Sequence, residues 1–217
     1  MRFLAIATAL VCLVPLTLAL SSAEPRLTLA ACRAKLEIYE RHIIEELAVL
    51  LSFDVLVSSL GLADGASYWR GAVQSYDPTF TDRLTSTVKQ FLCKDGGDVA
   101  GLTETLVDIC GARACIGIDV AIAKLFSEPL TYCALARRRD NTAMLALLTN
   151  AAIEASIIAR VRDKAKKFVS TTNQTSGDNA EREQHFLGLV ERFFSQVLIP
   201  LTKDLEIKVL HRLALTL

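Results

Sequence analysis

Apolar positions recur every three or four residues through most of the chain, the spacing that buries one face of an α-helix. The first stripe runs Leu29, Cys32, Leu36, Tyr39, Ile43, Leu50, Phe53, Val57 and Leu60, interrupted by Glu46 and stopped by Gly61. A second stripe of Ile44, Leu47, Ala48, Leu51 and Val55 joins it from Ile43 onward. The later half of this predicted helix is apolar nearly all round, as expected of an element enclosed by neighbours. Gly61 to Thr79 is glycine-rich, holds the only tryptophan, and predicts a loop with at most a short helical turn. Asp77-Pro78 then starts a helix whose inner face is Phe80, Leu84, Val88 and Phe91.

After the turn KDGGD, the residues Val99, Leu102, Leu106 and Ile109 predict a helix ended by Gly111. The following stretch, CIGIDVAIAKLF, alternates like a strand over 116–123, but a lone strand has no partner elsewhere in the chain, so helix is the reading. Ser127-Glu128-Pro129 restarts a helix that ends in Arg137, Arg138 and Arg139. From Asp140 or Asn141 one long helix is expected through Met144, Leu147, Leu148, Ala151, Ile158 and Val161, closing on Lys164, Lys166 and Lys167. Residues 170–179 are polar or small and form a loop, with Asp178 and Glu181 spaced as a capping box. An amphipathic helix bearing Phe186, Val190, Phe193, Phe194, Val197 and Leu198 follows, bent or broken at Pro200. Leu201, Leu205, Val209, Leu213 and Leu217 line the last one. The pattern is that of an all-α, single-domain bundle of about six to eight helices.

The N-terminus changes how the cysteines are read. Arg2 precedes an uncharged apolar run from Phe3 to Leu20, and Ser21-Ser22-Ala23 supplies small residues for cleavage. This is the layout of a secretory signal peptide over 1–23, leaving a secreted domain over 24–217. Cys12 departs with the signal, and Cys32, Cys93, Cys110, Cys115 and Cys133 remain as disulfide candidates. An odd number leaves one thiol unpaired or bonded to a second chain, which raises a disulfide-linked homodimer. Gly111 suggests that CGARAC is a corner between helices. If consecutive helices run antiparallel, that corner places Cys93 level with Cys133, and Cys32 level with Cys110 or Cys115. The expected bridges are therefore Cys93–Cys133 and Cys32 to one cysteine of the hexapeptide.

Charge and motifs exclude more than they select. Lys and Arg number 24 against 24 Asp and Glu, so nucleic acid is not an expected partner. The cysteines are single and His42, His185 and His211 are scattered, which disfavours a metal site. No GxSxG, HExxH or glycine-rich phosphate loop occurs, so neither catalytic residues nor a cofactor are expected. Asn173-Gln174-Thr175 is an N-glycosylation sequon. Tyr68, Trp69, Arg70 and Tyr76 are candidate partner or ligand contacts, against the alternative that the aromatics fold inward to pin their loop. Asp54, Asp119 and Glu154 lie in apolar segments and read as bundle-edge or paired acids.

Mean hydropathy is +0.35, and Leu47–Ala63 and Ala143–Ala159 are strongly apolar yet short for a membrane span. So much apolar surface must face other helices, another chain or a bound molecule. The expected function is a secreted, non-enzymatic binding protein holding a small hydrophobic or lipid-like ligand in its core. The alternative is a secreted interaction or signalling protein acting through protein contacts. Membrane contact through the amphipathic C-terminal half ranks third.

Overall fold

A computed structural model describes residues 29–50, 63–94, 100–172 and 179–214. Every regular element among them is helical: α1 (Leu29–Leu50), α2 (Ala63–Gln74), α3 (Phe80–Lys94), α4 (Ala100–Ser127), α5 (Pro129–Arg138), α6 (Asn141–Leu148), α7 (Ala151–Thr172), α8 (Asn179–Phe193) and α9 (Ile199–Ala214). One widened π-helical turn, Phe194–Leu198, joins α8 to α9. The all-α bundle read from periodicity is the fold. Asp54 and the stripe from Leu51 to Leu60 lie outside the described residues.

The bundle is organised around α4. Helices α1, α2, α3, α5 and α9 all pack against it, and its buried residues Leu106, Ile109, Cys110, Ala114, Ile118, Ala121 and Leu125 span about five turns. This helix carries the stretch whose alternation mimics a strand. It also carries CGARAC, which corrects the expected corner: Gly111 is mid-helix and does not end one.

Its function is steric. A Cβ on Gly111 would lie 2.5 Å from the Trp69 ring, so only glycine lets the indole lie flat on α4. The same contact explains why Ala63–Gln74 is a helix where composition suggests a loop. Trp69 and Val73 are buried, Arg70 Nη2 and Trp69 Nε1 donate to Asp108 Oδ1 at 2.7 and 3.3 Å, and Arg70 stacks over the indole at 5.0 Å. Packing of this kind outweighs the poor helix propensity of Gly65 and Gly71.

Two further boundaries differ from expectation. The long helix predicted from Asp140 onward is two, bent by 54° at Thr149-Asn150. Asn150 starts the second: its side-chain oxygen accepts from Ile153 N at 3.1 Å and its carbonyl from Glu154 N at 2.9 Å, which is N-capping. At the other site Pro200 does not break the chain's course. Ile199 N donates to Phe194 O across the π turn, and both flanking residues keep helical dihedrals. Among the described residues no single helix is long and apolar enough to cross a membrane.

None of the expected disulfides forms. Cys93 ends α3, which a short connection joins to the start of α4, whereas Cys133 follows the end of α4. A helix of 28 residues, about 42 Å long, separates them. Losing the supposed corner thus reverses the level of Cys133. Cys32 lies near enough to Asp119 to feel its charge, while Cys115 donates to Trp69 O at 3.7 Å. Burial pushes the Cys110 and Cys115 thiols up to about 12, so neither is a thiolate at neutral pH.

The Gly111–Trp69 contact yields a direct test. Gly111→Ala should lower stability by about 1–3 kcal/mol, the usual range for overpacking, measured as a reduced urea midpoint with an unchanged m-value.

Candidate functional site

A cavity of about 400 Å³ opens between α4, α9 and the α6–α7 corner, with Leu36 of α1 closing one side. From α4 come Arg113, Ile116, Gly117, Val120 and Lys124, whose spacing puts them on one helix face. From α9 come Ile199, Thr202, Lys203 and Glu206. The corner adds Leu147, Leu148 and Asn150, and the first turns of α7 add Ile153, Glu154 and Ile157. Apolar walls thus surround a small set of charges.

Arg113 is the most constrained of them. It is 5% exposed, its Nη1 donates to Thr202 Oγ1 at 3.3 Å, and its guanidinium lies 5.8 Å from the Phe194 ring centre. Its buried Nε has no hydrogen-bond partner, an expensive state for a guanidinium donor. Burial pulls its pKa down, and the nearby Glu40 charge opposes this most strongly. Glu40 is fully buried on α1, held by Arg160 Nε and Nη2 at 3.1 and 2.6 Å and by Lys164 Nζ at 2.8 Å. These partners hold Glu40 below its ordinary range despite burial, so it remains an anion behind Arg113.

Glu206 behaves in the opposite way. It is 8% exposed, and burial raises its pKa to about 7 against the lowering effect of Lys124, Arg113 and Lys203. Lys124 Nζ is 3.8 Å from Glu206 Oε2. At neutral pH Glu206 therefore exchanges between a neutral donor and an anion. Lys203 is engaged across the cavity with Glu154 Oε1 at 2.6 Å and Thr149 Oγ1 at 3.0 Å. With Glu206 protonated, three cations face one carboxylate: the cavity favours an anion that can use both the charge and the apolar walls.

Gly117 sets the width of the seam between α4 and α9. A Cβ there would lie 2.7 Å from Thr202 Cγ2 and 3.5 Å from Glu206 Oε1. The missing side chain brings Thr202 and Glu206 within reach of Arg113 and Lys124.

The residues singled out by sequence lie elsewhere. Trp69 is buried against α4, Arg70 is half-buried on Asp108, and Tyr76 packs against the core; none lines the cavity. The side chain of Tyr68, like all of Asn173, lies outside the described residues. Cys110 and Cys115 are structural neighbours of Arg113, the member of CGARAC that faces the cavity. Glu154, read as an edge or paired acid, lines the cavity and pairs with Lys203. What periodicity overlooks is the spacing Arg113, Gly117, Lys124 and the pair Thr202, Glu206. Each is a polar or small residue on a helix face that is otherwise apolar, which is the available signal.

No protein-family model matches the chain. Curated relatives do: cytosolic chorismate mutase 2 of Zea mays is 29% identical over 110 residues, covering 49% of this chain and 43% of that protein. Chloroplastic chorismate mutase 3 of Arabidopsis thaliana is 32% identical over 130 residues, 56% of this chain and 40% of the relative. Chorismate mutase of Saccharomyces cerevisiae is 28% identical over 117 residues, 54% and 44% respectively. The chain thus spans less than half the length of these relatives. The crystal structure of the chloroplast chorismate mutase from Zea mays superposes with a TM-score of 0.58 at 18% identity, covering 88% of this chain and 97% of that one, so the two share a fold.

These findings correct the functional expectations. The relatives are enzymes, against the expected non-enzymatic binding protein and its signalling alternative. Their names place them in the cytosol or the chloroplast, against the expected secretion, on which the glycosylation of Asn173 also depended. The expected lipid-like ligand is set aside on the same grounds.

Widening the seam should empty the site. Gly117→Ala is expected to weaken binding of a dicarboxylate probe such as malate at least about tenfold, since misplacing groups by an ångström is costly. Isothermal titration calorimetry measures it, with circular dichroism confirming that the helices persist.

Proposed function

We propose that the cavity binds chorismate and isomerises it by an intramolecular rearrangement. The observation that carries this reading is the buried Arg113 with its unpartnered Nε, set beside Lys124 and a carboxyl group that titrates near pH 7. The shared fold and the sequence similarity to chorismate mutases support it.

Chorismate is a dianion: a ring carboxylate, an enolpyruvyl carboxylate, an ether oxygen linking the two parts, and a ring hydroxyl. In the rearrangement the ether C–O bond breaks, a C–C bond forms between the enolpyruvyl methylene and the ring, and no atom is gained or lost. The chain has no covalent chemistry to perform. It must hold the side chain folded over the ring and stabilise the charge that collects on the ether oxygen as the C–O bond lengthens.

Arg113 supplies a fixed, desolvated cation whose Nε a carboxylate oxygen would satisfy. Lys124 and protonated Glu206 place donors side by side, suited to the ether oxygen. Glu154 and Asn150 offer acceptors for the ring hydroxyl, and Ile116, Val120 and Ile157 supply the apolar walls that exclude water. Lys203, already paired with Glu154, orients that acid.

The protonation state of Glu206 sets the pH dependence. Its pKa is raised to about 7, so below that value the carboxyl donates and above it the group is an anion facing the ether oxygen. The rate is expected to fall as pH rises through about 7, with the fall displaced upward in kcat because a bound dianion favours the protonated acid. Glu206→Gln, a donor at every pH, should flatten that limb.

The test is conversion of chorismate to prephenate by the purified chain, followed by the loss of chorismate absorbance. Arg113→Ala should lower kcat/KM by about a hundredfold or more. An unmodified, folded chain that leaves chorismate unchanged overturns the reading.

A further inference from the structure

The face of α9 turned away from the cavity carries charges of its own. Asp204 and Lys208, one helical turn apart, lie 3.4 Å from each other; Lys208 meets the turn between α2 and α3, and Asp204 meets Arg83 of α3. Lys208 Nζ donates to Asp77 Oδ2 at 2.9 Å. Arg83 joins both acids, with Nη1 2.5 Å from Asp204 Oδ2 and Nη2 donating to Asp77. Asp77 is 4% exposed, and its other oxygen accepts from Thr79 N at 3.1 Å and Thr79 Oγ1 at 2.9 Å, capping the start of α3. These donors hold its carboxyl down to about 2, so it stays ionised at any working pH.

The clamp and the cavity grip the same two turns of α9 from opposite sides. At about 100° per residue, Asp204 lies about 200° around the helix from Thr202 and from Glu206. A rotation of about 20° would carry a side-chain atom some 6 Å from the axis through about 2 Å. That distance separates contact from loss across the seam, where Arg113 meets Thr202 at 3.3 Å and Gly117 leaves no slack.

We propose that Asp77 is a positioning residue for the cavity: through Lys208 and the Arg83–Asp204 pair it sets the rotation of α9, and so the placement of Thr202 and Glu206 against Arg113 and Lys124. The proposal deepens the mutase reading by naming what aligns its site, but its main readout does not depend on turnover. The groups facing Glu206 are Lys124 and Arg113 from α4, Lys203 from α9 itself, and Tyr132 from α5. A change at Asp77 therefore reaches Glu206 through the backbone of α9.

The experiment is Asp77→Asn in the full chain. Asparagine caps a helix as well as aspartate does, so α3 keeps its start while the charge is lost. With ¹³C-labelled glutamate, the Glu206 titration midpoint is expected to fall from about 7 by about one unit as water enters the seam. The kcat for chorismate should fall about tenfold. Lys208→Gln, at a partly exposed position, should give the same shift, and the double variant should go no further than either alone. A lowered Tm with the Glu206 midpoint unmoved in both single variants overturns the proposal, leaving a structural staple. A native chain inert toward chorismate, with the midpoint still moved by Asp77→Asn, removes the mutase reading and keeps the clamp.

Discussion

The site depends on how closely α4 and α9 approach, and that approach exists because residue 117 has no side chain. The polar contacts between these two helices hang from it. Arg113 and Lys124 project from one helix, Thr202 and Glu206 from the other, and the bonds between them span a gap that a single methyl group would close. The resulting seam is dry enough to keep a glutamate neutral near pH 7 beside a lysine, which an open surface would not do.

Behind the seam the electrostatics are layered. Glu40, buried and anionic, backs Arg113 and is itself held by Arg160 and Lys164. An isolated buried guanidinium would be costly, but one with a fixed counter-charge behind it and an unmet donor in front is prepared for an anion. The front remains asymmetric: the Glu206 carboxyl, alone among the groups there, has its pKa brought to about 7. This asymmetry is what the proposed preference for a dianion rests on.

Much of the fold was legible because the helical period survives along the chain: the inner faces of α3 and α8 follow the stripes read from sequence, and in α9 Leu205 and Val209 are buried while Leu217 lies outside the described residues. The failures have physical causes. Gly111 read as a cap because its purpose, making room for Trp69, exists only once two helices meet, and α2 read as a loop because the contacts that override its glycines lie on α4. The break at Asn150 was hidden by apolar residues on both sides, although Thr149-Asn150 ahead of an alanine run is itself a capping signal. The site was harder. Periodicity says which face is buried but not what it is buried against, so a wall of the cavity looks like core. Arg113 stands between two cysteines that carry the stronger motif signal, and Lys124 and Glu206 register only as single charges on apolar faces. Of the two readings open for the aromatic residues around Trp69, binding contact or inward packing, Trp69 itself takes the second.

The π turn at Phe194–Leu198 has a consequence of its own. It gives the α8–α9 rod one more residue than a regular helix would use over that distance. The surplus acts as a phase shifter: upstream, Phe186, Val190 and Phe193 keep their register with the core, while downstream Thr202 and Glu206 come round to the cavity. Pro200 sits where its missing N–H costs least, just beyond that looser turn. A single inserted residue can in this way re-aim a pair of polar groups without rebuilding the bundle that carries them.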